Sequence, residues 1–306
     1  MSAPAAGIPT QPPIQWRGIA AFLALCFTLT WTIEFLALAR GVRFAALTLQ
    51  TTALLAGCMF LPAISAFITR RFITREGFRS AGLTLPRSLK PYLAILIGVP
   101  LLFALIYALS ALFRVAIFTG DPISAIASSV HLPPGKHLPP TRVLIFGMAV
   151  TTFVFAPIIN VIATFGEEFG WTGYLLPHLL PLGRWRATAI YGTFWGLWHA
   201  PIIAGGFNYP GHPVAGIVMM CAFTISVGLI QCAILIRYRS VFLTSLLHAS
   251  INANARGLIP LFFAGVSLLV GGTVGIIGIS VFAIAGALLL SRSHPPALPE
   301  AASVHS

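Results

Sequence analysis

Acidic side chains are scarce in this sequence, which has six Asp and Glu against eighteen Lys and Arg in 306 residues. Charged residues make up only 8% of the chain and hydrophobic residues 58%, too few polar side chains to cover a water-soluble domain of this length. Apolar runs of about 20 residues recur along the chain, and they do not alternate with polar residues as barrel strands would. The sequence therefore predicts an all-α, polytopic transmembrane helical bundle.

Cysteine is also rare, and no CxxC pair is present. Cys26, Cys58, Cys221 and Cys232 each lie inside an apolar run, a pattern that indicates neither a disulfide framework nor a zinc knuckle. The net charge of +12 comes from basic residues spread over short loops, not from one basic face. This spread argues against nucleic acid as a partner and favours contact with the headgroups of a lipid bilayer.

About eight apolar segments are long enough to cross a bilayer. They are predicted at 18–38, 46–69, 91–113, 143–165, 187–204, 214–236, 241–262 and 264–290. With eight spans, both termini lie on the same side as the basic loops, and twelve of the eighteen Lys and Arg are found there. The positive-inside rule then makes that side cytoplasmic, in a multi-pass protein of a bacterial inner or plasma membrane.

The two ends of the chain have a different composition from the spans. Residues 1–17 and 291–306 are rich in Pro, Ala and Ser, and we expect them to be disordered cytoplasmic segments on either side of a transmembrane domain at 18–290. The first sixteen residues contain no Lys or Arg and no apolar run, so they do not have the pattern of a cleavable signal peptide.

Ionisable and amide side chains inside the apolar segments are few, and each is costly in a membrane. The candidates are Glu34, Glu167, Glu168, His199, His248 and Asn252. His248 and Asn252 are four positions apart, so both lie on one face of a helix. Glu167 and Glu168 are adjacent and point about 100° apart, so one can face a cavity while the other supports it.

This set of side chains is suited to hydrolysis. A desolvated carboxylate can take a proton from water, while a histidine and the Asn252 amide hydrogen-bond a developing oxyanion. Glu167, His199 and His248 are also possible ligands for a divalent metal such as zinc, although the spacing HExxH is absent and metal-free chemistry is equally compatible. Glu34 has no partner motif, and we assign it a structural role.

Three short segments resemble the signatures of one known family. "EEFGWTGYLLP", "FWGLWHAP" and "LLHASIN" follow one another at intervals of about 30 and 50 residues. They are similar to the motifs EExxxR, FxxxH and HxxxN of the CPBP family, which comprises the CAAX proteases and bacteriocin-processing enzymes also called the Abi family. Its members are intramembrane endopeptidases, named as metalloproteases, and are related to the Ras-converting CAAX endopeptidase. The likeness implies a core at about 143–260.

The resemblance also implies roles for the motif residues. Glu167 would be the general base, Glu168 its assisting neighbour, and His199, His248 and Asn252 would polarise the scissile carbonyl. The sequence departs from the family at Thr172, which stands at the arginine position of the first motif, and at Trp195, which stands at the phenylalanine position of the second.

The aromatic residues near the motifs can be interpreted in two ways. Trp171, Trp195 and Trp198 either contact the substrate or pack within the bundle. We expect the glutamates near the cytoplasmic end of the fourth span, with the cavity open to that leaflet, and the substrate to be a membrane-embedded or lipidated peptide or protein. Two other functions stay open at this point, namely a proton-coupled transporter and a non-catalytic bacteriocin-immunity scaffold.

Overall fold

The computed structural model describes residues 14–129 and 138–293. The two segments predicted to be disordered are 1–17 and 291–306. Most of their residues, 1–13 and 294–306, lie outside the described part of the chain. The first helix begins at Trp16 and the last ends at Ser291. The helical domain is therefore slightly longer than the predicted range of 18–290.

The described chain is almost entirely helical. Its α-helices are α1 (Trp16–Ala39), α2 (Leu49–Cys58), α3 (Leu61–Ile68), α4 (Lys90–Leu112), α5 (Pro122–Ser129), α6 (Thr141–Val150), α7 (Ala156–Gly170), α8 (Leu176–Leu179), α9 (Arg184–Trp198), α10 (Ala200–Ala204), α11 (Pro213–Tyr238), α12 (Val241–Ala255) and α13 (Ile276–Ser291). Wider, π-helical turns occupy Thr69–Ile73, Thr151–Phe155 and Trp171–Leu175, and 3-10 turns occupy Leu180–Leu182 and Ile259–Phe262. Two short antiparallel strands, β1 (Ile117–Phe118) and β2 (Phe263–Ala264), join two loops.

Five helical segments of the described chain are long and apolar enough to cross a membrane. They are Trp16–Ala39, Leu49–Ile73, Lys90–Leu112, Thr141–Leu182 and Pro213–Tyr238. The prediction of an all-α polytopic protein is confirmed. The helices α9, α12 and α13 occupy the predicted fifth, seventh and eighth spans but are shorter, with 15, 15 and 16 residues.

Two predicted boundaries are wrong. The fourth segment does not end at 165, because helical turns continue without a break from Thr141 to Leu182. The last two spans are not separated by a two-residue break, since α12 ends at Ala255 and α13 begins only at Ile276. Mean hydropathy stays high through these loop residues, so composition alone could not locate the ends of the helices.

The surface of α7 reverses the pattern of a soluble helix. Ile158, Ile159 and Ile162 are exposed, whereas Glu167 and Glu168, on the inward face, are buried. A surface of large apolar side chains is stable against lipid and costly against water, so this pattern agrees with a helix that faces a bilayer.

The bundle has two ends of different composition. We call the end formed by residues 70–90, 182–184 and 238–241 the basic end; there Leu83 pairs with Ser240 and Arg184 donates to the Leu290 carbonyl.

The other end, which we call the opposite end, is formed by residues 40–48, 199–213 and 256–275. Its loops are joined by the hydrogen bond from Phe44 to the Gly205 carbonyl and by the pairing of Ile117 with Ala264.

Candidate active site

The two adjacent glutamates lie well inside the helical segment 141–182, where α7 packs on α3. The glycines of "GEEFG" (166–170) permit this approach, since a Cβ on the last one would lie 2.6 Å from the Pro62 carbonyl oxygen. Small residues four apart let helix backbones come close in a membrane. The packing leaves Glu167 3% and Glu168 0% exposed.

Glu168 is surrounded by hydrogen-bond donors. Its Oε1 accepts from His248 Nδ1 at 3.0 Å and from Gln231 Nε2 at 2.7 Å, while its Oε2 lies 3.0 Å from the Thr172 hydroxyl. The carbonyl oxygen of Gln231 in turn accepts from the Tyr191 hydroxyl at 2.5 Å. A buried carboxylate is tolerated when its oxygens are satisfied in this way. Glu168 therefore has no free side for a substrate and acts through its neighbours.

Thr172 contacts Glu168 at the position where the family motif has arginine. Its hydroxyl also lies 2.8 Å from the hydroxyl of Thr244 on α12. The residue belongs to the π-helical turn that follows α7, a type of turn that often occurs at functional sites. A hydroxyl pair and the Gln231 amide thus take the place of an arginine charge beside Glu168.

His248 is fixed by the bond to Glu168. Because a carboxylate only accepts, Nδ1 carries the proton of this hydrogen bond, and Nε2 is the nitrogen left for the cavity. A carboxylate behind an imidazole holds its orientation and stabilises the protonated ring when it forms. In the protonated state, which Glu168 stabilises, His248 can donate a hydrogen bond from Nε2–H to a negative oxygen.

Trp195 orients two further groups at once. Its indole Nε1 donates to Glu167 Oε2 at 2.9 Å, and its backbone carbonyl accepts from His199 Nδ1 at 2.9 Å. His199 therefore also has Nε2 free of the protein backbone. The tryptophan at the phenylalanine position of the second motif thus provides a hydrogen bond that phenylalanine could not make.

These side chains meet at one cavity of about 320 Å³. The charged and amide side chains that matter most on its wall are Glu34, Glu167, His199, His248, Asn252 and Arg256. Such a volume lies at the lower end of the range for small-molecule and peptide side-chain sites. Four of the predicted catalytic residues thus share one cavity, while Glu168 lies behind His248, outside its wall.

The three tryptophans fall into two groups. Trp195 and Trp198 line the cavity, as a substrate-contacting residue would. Trp171 does not line it. It is fully buried and packs against Phe22 and Trp198, with ring centroids 5.5 and 6.1 Å apart. The structure therefore places Trp171 in the core and not against a substrate.

The cavity lies nearer to the opposite end of the bundle than we expected. Its wall includes Leu47, Phe207 and Thr273, all from loops of that end. None of the described lining residues belongs to the loops of the basic end, so the wall of the cavity does not support the expectation that it opens beside those loops.

The three candidate metal ligands do not converge on one point in the described structure. Within residues 14–129 and 138–293, no three His, Cys, Asp or Glu side chains converge closely enough to hold a metal ion. The bonds that hold His248 Nδ1 and His199 Nδ1 leave both Nε2 atoms open, as in metal-ligating histidines, so it is the separation of the three groups alone that disfavours a metal here. We therefore assign no step of the chemistry to a metal.

The sequence analysis did not place three polar residues at this site. Gln231 is an amide in the middle of an apolar span, and its cost in a membrane was a signal that it has a buried partner. Glu34, assigned a structural role, is 1% exposed and lines the same cavity as Glu167. Arg256 follows Asn252 by four residues, which is the spacing that already placed Asn252 with His248.

Comparison with known proteins supports the motif resemblance. Residues 149–254 match the family described as Type II CAAX prenyl endopeptidase Rce1-like. The matched segment contains every predicted catalytic residue, whereas Glu34 and Arg256 lie outside it. No curated protein matches the chain.

Proposed function

We propose that this chain, whose residues 149–254 belong to the CAAX protease (CPBP) family, hydrolyses a peptide bond in a membrane-embedded or lipidated protein or peptide. The observation that carries the proposal is the shared cavity of Glu167, His199, His248 and Asn252 inside an apolar bundle. Family membership supports protease activity in a membrane, and the roles of the individual residues are our inference.

The first step of the proposed mechanism is the activation of water by Glu167. Its Oε2 accepts from Trp195, and Oε1 has no such partner among the described residues, so Oε1 takes the proton from water. The neutral His199 ring, with Nδ1–H held by a carbonyl, can accept a hydrogen bond from the same water at Nε2. The water oxygen then forms a bond to the carbonyl carbon of the scissile peptide.

The second step stabilises and resolves the tetrahedral intermediate. His248, which enters this step as an imidazolium held by Glu168, donates from Nε2–H to the oxyanion, and the amide N–H groups of Asn252 donate to it as well. The proton held by Glu167 passes to the peptide nitrogen, the C–N bond breaks, and a carboxylate and an amine are released. The atoms and protons balance without a metal or cofactor.

The experiment that tests the proposal is peptide cleavage by the purified protein in liposomes. The substrates are a farnesylated peptide with a free C-terminus and a set of unlipidated apolar peptides. Glu167→Gln should lower kcat about 10²- to 10⁴-fold, the range for loss of a general base, and His248→Ala should also abolish most cleavage. Chelator should leave cleavage unchanged, because no three candidate ligands converge in the described residues.

A matched control separates loss of chemistry from loss of folding. Asp121→Asn makes the same carboxylate-to-amide change on an exposed residue outside the cavity; asparagine can still accept from the Ile123 and Ser124 backbone N–H groups, so the variant should retain full cleavage. Absence of cleavage by a folded wild type over the whole substrate set would overturn the proposal, as would full activity of the Glu167→Gln variant.

A further inference from the structure

Arg256 extends the row of polar side chains on α12. His248, Asn252 and Arg256 follow one another at intervals of four residues, and all three line the cavity. Residues four apart lie above one another on a helix, about 6 Å along its axis. The guanidinium group therefore lies on the same face as the catalytic histidine, two turns away.

The chain that follows Arg256 is held in place by Thr152. A Cβ on the neighbouring Gly257 would lie only 2.1 Å from Thr152 Cγ2, and the next backbone N–H, of Leu258, donates to Thr152 Oγ1 at 3.2 Å. The Arg256 guanidinium lies over the ring of Phe207, 5.7 Å from its centroid. Its position at the end of α12 is thus fixed, although its side chain is exposed.

Arg256 has a positive charge that no carboxylate neutralises in the described part of the chain. The ion pairs found there involve Arg70, His178 and His248. Glu34 and Glu167 share the cavity wall with Arg256, but neither lies within ion-pair distance of it. An arginine is always charged and offers a planar fork of donors that fits a carboxylate.

A second cavity begins where Arg256 lies. It measures about 620 Å³, runs beside α6, and shares Asn160, Asn252 and Arg256 with the first. Val143, Leu144 and Met148 of α6 supply an apolar wall. A peptide chain that leaves the catalytic residues along α12 therefore passes the guanidinium group before it reaches this groove.

We propose that Arg256 binds the C-terminal carboxylate of the substrate and so sets the distance from the chain end at which the protein cuts. This inference rests on the proposed endopeptidase function and adds a specificity-determining residue to it. His248 and Arg256 are separated by about 12 Å along the helix axis. An extended chain covers that distance in about three to four residues.

The test compares two peptides that differ only at their last group. One is the peptide that the wild type cleaves best, with a free C-terminal carboxylate, and the other is the same peptide with a C-terminal amide. We expect wild type to cleave the acid ten- to hundredfold faster in kcat/KM, and Arg256→Gln to reduce this ratio to about one. Arg256→Lys should restore part of it, because lysine keeps the charge without the fork.

Arg237 supplies the matched control. It makes a cation–π contact with Tyr238 at 5.5 Å but lies at the basic end, away from the cavity. Arg237→Gln should leave the acid-to-amide ratio unchanged. If Arg256 only stabilised the end of α12, Arg256→Gln would lower thermal stability but preserve the ratio, which would overturn the inference.

A measurement of peptide binding tests the role of Arg256 independently of cleavage. Both peptides are titrated against the inactive Glu167→Gln protein, and the acid should bind at least tenfold more tightly; adding Arg256→Gln should remove the difference. Equal binding of acid and amide overturns the carboxylate site. Tighter binding of the acid without any cleavage by wild type overturns the proposed function and leaves the carboxylate site in place.

Discussion

The two ends of the bundle use arginine in contrasting ways. At the basic end, Arg70 is fully buried and donates to the Gly173 carbonyl at 2.7 Å, to the Gly77 carbonyl at 2.9 Å and to the Ser80 hydroxyl at 3.0 Å. At the opposite end, Arg256 is exposed on the cavity wall and contacts the ring of Phe207.

Arg70 provides a hydrogen bond that the helix itself cannot make. Pro177 follows Gly173 by four residues and has no N–H, so it cannot supply the α-helical hydrogen bond to the Gly173 carbonyl. Arg70 provides a donor to that carbonyl from another helix. Nearby, burial alone would raise the pKa of Glu76, but hydrogen bonds and charges from His178, Arg70 and Thr74 lower it overall.

The polar groups of the basic end therefore differ in their hydrogen bonding from those around the cavity. At the basic end, Glu76 is paired with Arg70 and His178, and both Nη atoms of Arg70 donate to neighbouring segments, although its buried Nε has no partner in the described structure. At the cavity, Glu34 Oε2 is buried without a hydrogen-bond partner in the described structure, and Glu167 and the histidines each keep an atom free. Unmatched polar groups cost stability, so a buried carboxylate oxygen without a partner on the wall of a cavity is the pattern expected of a site that binds or reacts.

The largest effect we expect is an all-or-none difference in labelling from the two sides of the membrane. If the positive-inside rule orients the chain, the basic end faces the cytoplasm and the cavity opens towards the other side. In intact bacterial cells, an impermeant thiol reagent should label Thr119→Cys and should label Ser88→Cys only after permeabilisation. Both positions are exposed loop residues at different ends of the bundle.

The background for this labelling is favourable, since three of the four native cysteines are buried and the fourth is half-buried. The reverse labelling pattern would place the cavity on the cytoplasmic side. The excess of Lys and Arg at the basic end would then not mark the cytoplasmic side of the membrane.

The second prediction concerns the two arginines directly. Arg70→Gln leaves buried acceptors without their donor, and we expect it to lower the free energy of unfolding by about 3–5 kcal/mol, as for one partner removed from a buried charged network. Arg256→Gln should change it by less than about 0.5 kcal/mol. Denaturation of both purified variants in the same detergent measures the difference, and equal losses would show that the two ends do not differ in this way.

Much of this arrangement was predictable from sequence because it depends on local spacing. Hydropathy indicated a helical bundle, and the four-residue interval placed His248 beside Asn252 on one face of α12. The cavity confirms that Glu167, His199, His248 and Asn252 lie together. Such inferences need only the geometry of one helix or the order of the motifs.

The remainder depends on contacts between distant helices. Gln231 of α11 donates to Glu168 of α7, and Glu34 of α1 shares a cavity with Glu167. Both contacts depend on how these three helices pack, which no local sequence pattern specifies. The length of the fourth segment was missed for another reason. Its helix continues through Gly170, Gly173 and Pro177 as π-helical and short α-helical turns, where sequence rules favour an end.

The smallest expected effect tests the packing that brings the two glutamates into the bundle. Gly170→Ala places a Cβ 2.6 Å from the backbone of Pro62, so α3 or α7 must shift, and we expect a loss of about 1–3 kcal/mol in the free energy of unfolding. Gly98→Ala in α4 is the matched control, because a Cβ there meets nothing within 4 Å and alanine favours a helix by about 1 kcal/mol.

The two alanine variants also separate packing from chemistry. Because Gly170 lies next to the buried pair, a shift of α7 should reduce cleavage in the fraction that stays folded, while Gly98→Ala keeps full cleavage. Thermal unfolding and cleavage measured on the same liposome preparations test both effects. If Gly170→Ala matched Gly98→Ala in both measurements, close contact between α3 and α7 would not be what positions Glu167 and Glu168.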